Sequence, residues 1–174
     1  MSDTAADRHE SVDSIAWLEG RYHADLDPAA ERAIRAAGLA WHDESEAERQ
    51  LALAATLAPD HMAVHIALYR YNFYKHRYAP ARDFSARILA ALAQRLAIPA
   101  DWQDVRPHQA NFASDDPDIR SWLFVLQTYG YVLLRLGQRQ QAMAPLHAVV
   151  ALDTGDQTKT RALLSIIDRA GRDD

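Results

Sequence analysis

The stretch HMAVHIALYRYNFYKHRY, residues 61–78, concentrates the side chains most capable of chemistry. His61 and His65 are four residues apart, so on a helix their imidazoles share a face and could take two positions on a divalent metal. A metalloprotease helix would carry a glutamate beside the first histidine; none stands there, and no third ligand is placed by sequence. Two ligands do not close a tetrahedral site, so the competing expectation is a His61 that caps a helix and a His65 that packs inside it. The sequence calls for no cofactor. The second half, RYNFYKHRY, interleaves cations with rings, the ingredients of a surface on which bases stack and phosphates are neutralised. Net charge opposes that reading: 19 Lys plus Arg against 24 Asp plus Glu leave −5, which argues against nucleic acid or an anionic membrane as the partner. A plainer reading has Leu68, Tyr69 and Tyr78 filling gaps between helices while Lys75 and Arg77 solvate the helix end.

The rest of the chain bounds what else these residues could do. With 49% hydrophobic and 25% charged residues among 174, disorder over most of the length is excluded and one packed domain is expected. Without cysteine there is no disulfide, thiol nucleophile or thiolate-held cluster, and no segment resembles a secretory leader, so the expected address is cytoplasmic. The apolar run WLFVLQTYGYVLLRL is interrupted by Gln127, Gly130 and Arg135 and falls short of the ~20 residues a membrane span needs. A Gly-rich phosphate loop, a nucleophile elbow and motif-placed paired carboxylates are all missing, so the expectation is a protein that is not an enzyme.

The elements that must carry these residues read as helices. Residues 1–11 are polar and aperiodic, a disordered tail, and 12–174 form one domain opening on a short helix around Ile15, Trp17, Leu18 and Tyr22. Asp27-Pro28, Asp60 and Asp116-Pro117 place capping carboxylates before helical patterns, and Ser45 with Glu48 fits a capping box. Strand signals are few, with 6 glycines and no Asn-Gly or Asp-Gly turn, so the fold class is all-α. Residues 97–115, AIPADWQDVRPHQANFASD, form an ordered loop that Trp102 and Phe112 could pin, and DQTKTRALLSIIDRAG makes a last helix with Leu163, Leu164 and Ile167 on one side and Gly171 as its stop.

Ala47, Leu51, Ala54 and Pro59 recur in spacing as Ala142, Leu146, Val149 and Thr154, and Ala81 follows Ala47 at the ~34-residue period of a tetratricopeptide unit. The last copy, LQTYGYVLLRLGQRQQAMAPLHAVVALD, carries Leu126, Tyr129, Gly130, Leu133, Gly137, Ala142, Leu146 and Val149 in the sparse large-and-small pattern of that family. On these residues the chain resembles tetratricopeptide-repeat (TPR) proteins, antiparallel helix pairs stacked as a short superhelix. The resemblance implies about three units plus a C-terminal capping helix, with 97–115 inserted between the second and third. It implies that Gly130 is small because its helix crosses close to the next, so leucine there should overpack while alanine should be much better tolerated. Gly137 suits a left-handed helix cap, and the first copy aligns with Gly38 as its crossing residue and Trp41 as its large one. The segment LAPDHMAVHIALYRYNFYKHRY is also similar to small bacterial repeat proteins found near nitrogen-fixation genes.

If the resemblance sets the facing, Ile66, Arg70, Phe73 and Tyr74 of one unit and Phe124, Gln127, Tyr131 and Arg135 of the last line a concave surface, where tetratricopeptide proteins bind peptides or helices. Aromatic anchors beside arginines are what interface energetics favours. The implied function is a non-enzymatic adaptor or accessory protein in a nitrogen-fixation context that captures an acidic, partly hydrophobic segment of another protein. Homo-oligomer formation is left open. The alternative is a metal-binding or small-ligand-binding helical module using His61 and His65.

Overall fold

A computed structural model describes residues 21–170, so the expected tail at 1–11, most of the helix around Ile15, and Gly171 lie outside the described residues. All regular elements among the described residues are helical. The chain divides into two compact units at His76/Arg77.

The first unit holds α1 (Pro28–Leu39), α2 (Glu44–Leu57) and α3 (Met62–Tyr74). Asp27 starts α1 by accepting from the Ala29 and Ala30 N–H groups at 2.6 and 3.3 Å, with Pro28 at the position where a missing donor costs nothing. At α2 the cap is Asp43, whose carboxylate accepts from the Glu46 N–H at 3.1 Å; Ser45 lies inside the helix, correcting the capping-box expectation. Likewise α3 is capped by His61, not Asp60: its Nδ1 accepts from the Ala63 N–H at 3.2 Å. A backbone donor on Nδ1 leaves the proton on Nε2, which donates to the Ala24 carbonyl at 3.1 Å.

Alanine decides how α1 and α2 pair. Ala30, Ala33 and Ala37 of α1 are buried, as are Ala47, Leu51 and Ala54 of α2, and the short connection makes the pair antiparallel. Small side chains let the axes approach, and Ile34 and Leu68 then pack on both apolar clusters, one around Leu26, Ala30 and Val64 and the other around Ala47, Leu51 and Tyr71. Gly38 is not the crossing residue. It is exposed, and a Cβ built on it would meet nothing within 4 Å, because the alanines already make the crossing.

The second unit holds α4 (Tyr78–Leu96), α5 (Pro117–Arg135), α6 (Arg139–Leu152) and α7 (Thr160–Ala170). At one end of the α4/α5 pair Arg95 Nε donates to Asp118 at 2.8 Å; at the other the Arg135 guanidinium lies 4.7 Å from the Tyr78 ring centre. Those two contacts make the helices antiparallel. Asp116 caps α5 as the sequence indicates, accepting from Asp118 and Ile119 N–H groups at 2.8 and 3.2 Å. Between α4 and α5, residues 97–115 form two short 3-10 turns, Trp102–Asp104 and Pro107–Gln109. Val105 and Phe112 are buried, Phe112 with its ring centre 5.8 Å from that of Trp122, and the half-buried Trp102 lies in the turn that packs on α6.

At Gly130 α5 meets α6 closely. A Cβ there would come within 2.8 Å of Leu146 Cγ, 2.9 Å of its Cδ2 and 3.3 Å of the Ala142 carbonyl. Leu146 is fully buried and cannot swing away, so alanine is not the mild change the repeat pattern suggests. Gly130→Ala should overpack by about 1–3 kcal/mol, with up to ~1 kcal/mol recovered from helix propensity. Gly130→Leu should cost more. Thermal melts followed by circular dichroism check this, and Leu146→Ala should make Gly130→Ala less damaging than the two single losses together.

Gly137 ends α5 with φ +74°: its N–H bonds Leu134 O and the Gln138 N–H bonds Leu133 O, both at 2.9 Å. The same pair of bonds ends α4, from Ala97 to Gln94 and from Ile98 to Ala93, with Ala97 at φ 53°. A left-handed alanine costs roughly 1–2 kcal/mol that glycine avoids. Ala97→Gly is therefore expected to raise stability by about 1 kcal/mol, read as a melting point higher by ~2–4 °C.

Candidate functional site

The first unit carries a groove of ≈ 850 Å³. Its lining includes three small residues, Ala37, Gly38 and Ala67. Ile34, Leu39, Leu51, Trp41 and Tyr71 also line it, together with the charged or polar Arg35, Arg70, Glu31 and His23. Leu39 is 85% exposed, an apolar side chain left in water at the end of α1.

Part of the lining is held rigidly. Lys75 Nζ donates to the Trp41 carbonyl and to Glu44, each at 3.1 Å, and stands 5.2 Å from the Trp41 ring centre and 5.9 Å from that of Tyr71. The Trp41 ring meets Tyr71 edge-on at 5.7 Å and Tyr74 at 6.2 Å. Tyr71 is buried, with its hydroxyl 3.4 Å from Glu48. A cation on two ring faces and edge-on ring contacts restrict the indole before any ligand arrives. Arg35, also in the lining, pairs with Glu31 at 2.9 Å, yet its side chain remains 71% exposed and can be shared with an incoming carboxylate.

The eight residues drawn from the repeat resemblance divide between the units. Of the first four, Arg70 lines the groove, its guanidinium 5.9 Å from the Tyr74 ring centre. Phe73 stacks on Tyr69 at 5.6 Å and meets Tyr74 edge-on at 5.5 Å, with Phe73 and Tyr74 both half-buried. Ile66 is fully buried and lines no surface. The reason is rotational: the groove side of α3 is Ala67, Arg70 and Tyr71, one residue or about 100° away from a face centred on Ile66. Of the second four, Gln127 donates its side-chain amide to the Thr158 carbonyl at 2.8 Å, tying α5 to the turn before α7. Arg135 is exposed and donates to the Tyr131 hydroxyl at 3.3 Å, a bond that raises the guanidinium pKa further against the opposing effect of burial. Phe124 is half-buried.

The two histidines do different work. Both ring nitrogens of His61 are engaged, as the α3 cap and with Ala24, while buried His65 bonds the Pro59 carbonyl through Nε2 at 2.9 Å. Among the described residues no group of three or more His, Cys, Asp or Glu could hold a metal. No helix among them is long and apolar enough to cross a membrane.

Sequence reasoning missed Ile34, Arg35, Leu39 and Tyr71 as groove residues and assigned Gly38 and Trp41 to packing. The available signal was Leu39, which lies outside the Ala30, Ala33, Ala37 register and ends a helix with its apolar side chain uncovered.

This is an all-α protein whose adjacent helices pack as pairs. It belongs to the family of the uncharacterized 19.8 kDa protein in the nifW 5′ region of Azotobacter chroococcum mcd 1, being 36% identical over 126 residues, 71% of this chain and 71% of that one. No family model and no solved structure matches it.

Proposed function

We propose that this chain is a non-enzymatic accessory protein, acting in a nitrogen-fixation setting, that reversibly captures an acidic, partly hydrophobic segment of another protein in the groove of α1–α3. The observation that carries the reading is the groove itself, whose lining is mostly apolar and includes the guanidinium groups of Arg35 and Arg70. The family relationship to a protein of the nifW 5′ region supports the setting. Removing apolar surface from water contributes roughly 25 cal/mol per Å², and an arginine fork adds charge-assisted bonds that select carboxylates over amines. The Trp41–Lys75–Tyr71 cluster is ordered in advance, so little side-chain entropy is lost on capture.

Affinity capture from nitrogen-fixing cells tests it, with wild type and the Arg35→Glu, Arg70→Glu double variant as baits and mass spectrometry as the readout. The expected result is a protein retained by wild type and lost by the double variant. Equal retention by both baits would remove the groove from the mechanism.

A further inference from the structure

We infer that residues 12–20 of this chain, VDSIAWLEG, seat in the groove of α1–α3, so that any other captured segment must first displace them. The seat stands on the groove itself; the competition rests on the capture reading. Residues 12–20 precede the described ones, and the described chain starts beside the groove: it begins at Arg21, and His23 already belongs to the lining. Gly20 is three residues from His23, within ~11 Å of it even in a fully extended chain.

Charge and apolar content both select this occupant. Asp3, Asp7, Glu10, Asp13 and Glu19 stand against Arg8 alone in residues 1–20, a net −4, while the other 154 residues hold 18 Lys plus Arg against 19 Asp plus Glu. Nearly all the negative charge of the chain is therefore gathered in an acidic run that joins the groove directly. Within 12–20, Val12, Ile15, Trp17 and Leu18 are flanked by Asp13 and Glu19, with no cation among them. The groove offers the counterparts: Ile34, Leu39 and Trp41 for the apolar side chains, Leu39 being 85% exposed, and Arg35 for a carboxylate. Arg35 pairs with Glu31 one turn away, an exposed contact weak enough to be shared with a second carboxylate. Tethering does the rest, because a short linker holds the segment at ~mM effective concentration over its seat.

The chain has no cysteine, so two introduced thiols report only on each other. In the full-length chain Ala16→Cys is combined either with Leu39→Cys, in the groove lining, or with Leu57→Cys, an exposed position of α2 outside it. Leu57 is three residues beyond Ala54, which packs in one cluster with Leu26, and the seven residues from Ala16 to His23 span up to ~25 Å, so an unseated segment also reaches α2. Dilute protein under limiting oxidant is read by intact mass. A seat of ~0.1 mM intrinsic affinity under ~mM effective concentration is filled about nine-tenths of the time, so the Leu39→Cys pair should close about tenfold faster than the Leu57→Cys pair. Adding Trp17→Ser and Leu18→Ser should bring the two rates together. As a second readout, a labelled synthetic peptide of residues 12–20 should bind the Trp17→Ser, Leu18→Ser chain about tenfold more tightly than wild type, whose seat is already filled, and Arg35→Glu should weaken that binding. Equal closure of the two thiol pairs, disulfide-linked dimers in place of closed monomers, or a peptide bound equally by wild type and the serine variant overturns the inference. Neither readout needs the natural partner. Equal closure beside charge-dependent capture from cells removes the seated segment and leaves the capture reading standing, whereas faster closure at Leu39→Cys beside equal retention by both baits keeps the seat and removes capture.

Discussion

Asp153→Ala is expected to lower stability by about 3–5 kcal/mol, because it leaves the Arg120 charge in place with its buried partner removed. Asp153 is 1% exposed at the end of α6 and accepts from Arg120 Nη1 at 3.2 Å and from both the N–H and hydroxyl of Thr158 at 2.8 Å. Arg120 Nη2 donates in turn to the Phe112 carbonyl. One carboxylate thus joins the start of α5, the end of α6, the turn into α7 and the end of the 97–115 loop. Burial pushes its pKa up, but the Thr158 N–H and hydroxyl, then Arg120 and the Gln157 N–H, outweigh it and hold the group below the ordinary carboxylate value. A folded pKa below the unfolded one contributes stability that is present above the unfolded value and lost as pH falls through the folded one. Wild type should therefore weaken on acidification below roughly pH 4, and Asp153→Ala should lack that part of the pH dependence. Thermal melts across pH read both effects; at ~2–4 °C per kcal/mol the neutral-pH drop should be about 10 °C. A variant that melts with wild type would mean that the network contributes nothing.

The second large effect concerns capture. Arg35→Glu with Arg70→Glu should weaken binding of the captured segment by about 2–5 kcal/mol, since each change removes a charge-assisted contact and places a carboxylate against a carboxylate. Helix content should change little; a change at exposed Arg35 seldom moves stability by more than ~0.5 kcal/mol, whereas one at half-buried Arg70, 5.9 Å from the Tyr74 ring centre, should lower the melting point modestly. Calorimetry against the recovered partner measures it. Binding by wild type should also weaken with added salt, because Arg35 is largely solvent-exposed and screened.

Different parts of this molecule were legible to different degrees, for physical reasons. Asp27-Pro28 and Asp116-Pro117 announced α1 and α5 because a cap is a contact within three residues. Asp60 and Ser45 misplaced two starts by one or two residues, since a histidine ring and the nearby Asp43 accept the same kind of bond equally well. Gly130 could be read as a close crossing because the pattern around it fits one helix pair; the same pattern misled at Gly38, where alanines had already made the crossing. In α3 the residues Ala63 to Ala67 are all buried, so hydrophobic periodicity could not say which side faces the groove, and Ile66 was chosen one step away from Ala67. Asp153 gave only an indirect signal, a carboxylate at a helix C-terminus where the helix dipole disfavours it. Its partners are 5 and 33 residues away in the chain, too far apart for spacing to reveal them.

The measurement that tests the central claim most directly is amide hydrogen exchange of the full chain with and without the captured partner. Segment capture between α1 and α3 predicts added protection at 34–41 and 67–71, and its disappearance in the Arg35→Glu, Arg70→Glu variant. Protection confined to α5 or α7, with the groove residues exchanging as in the free protein, would contradict it.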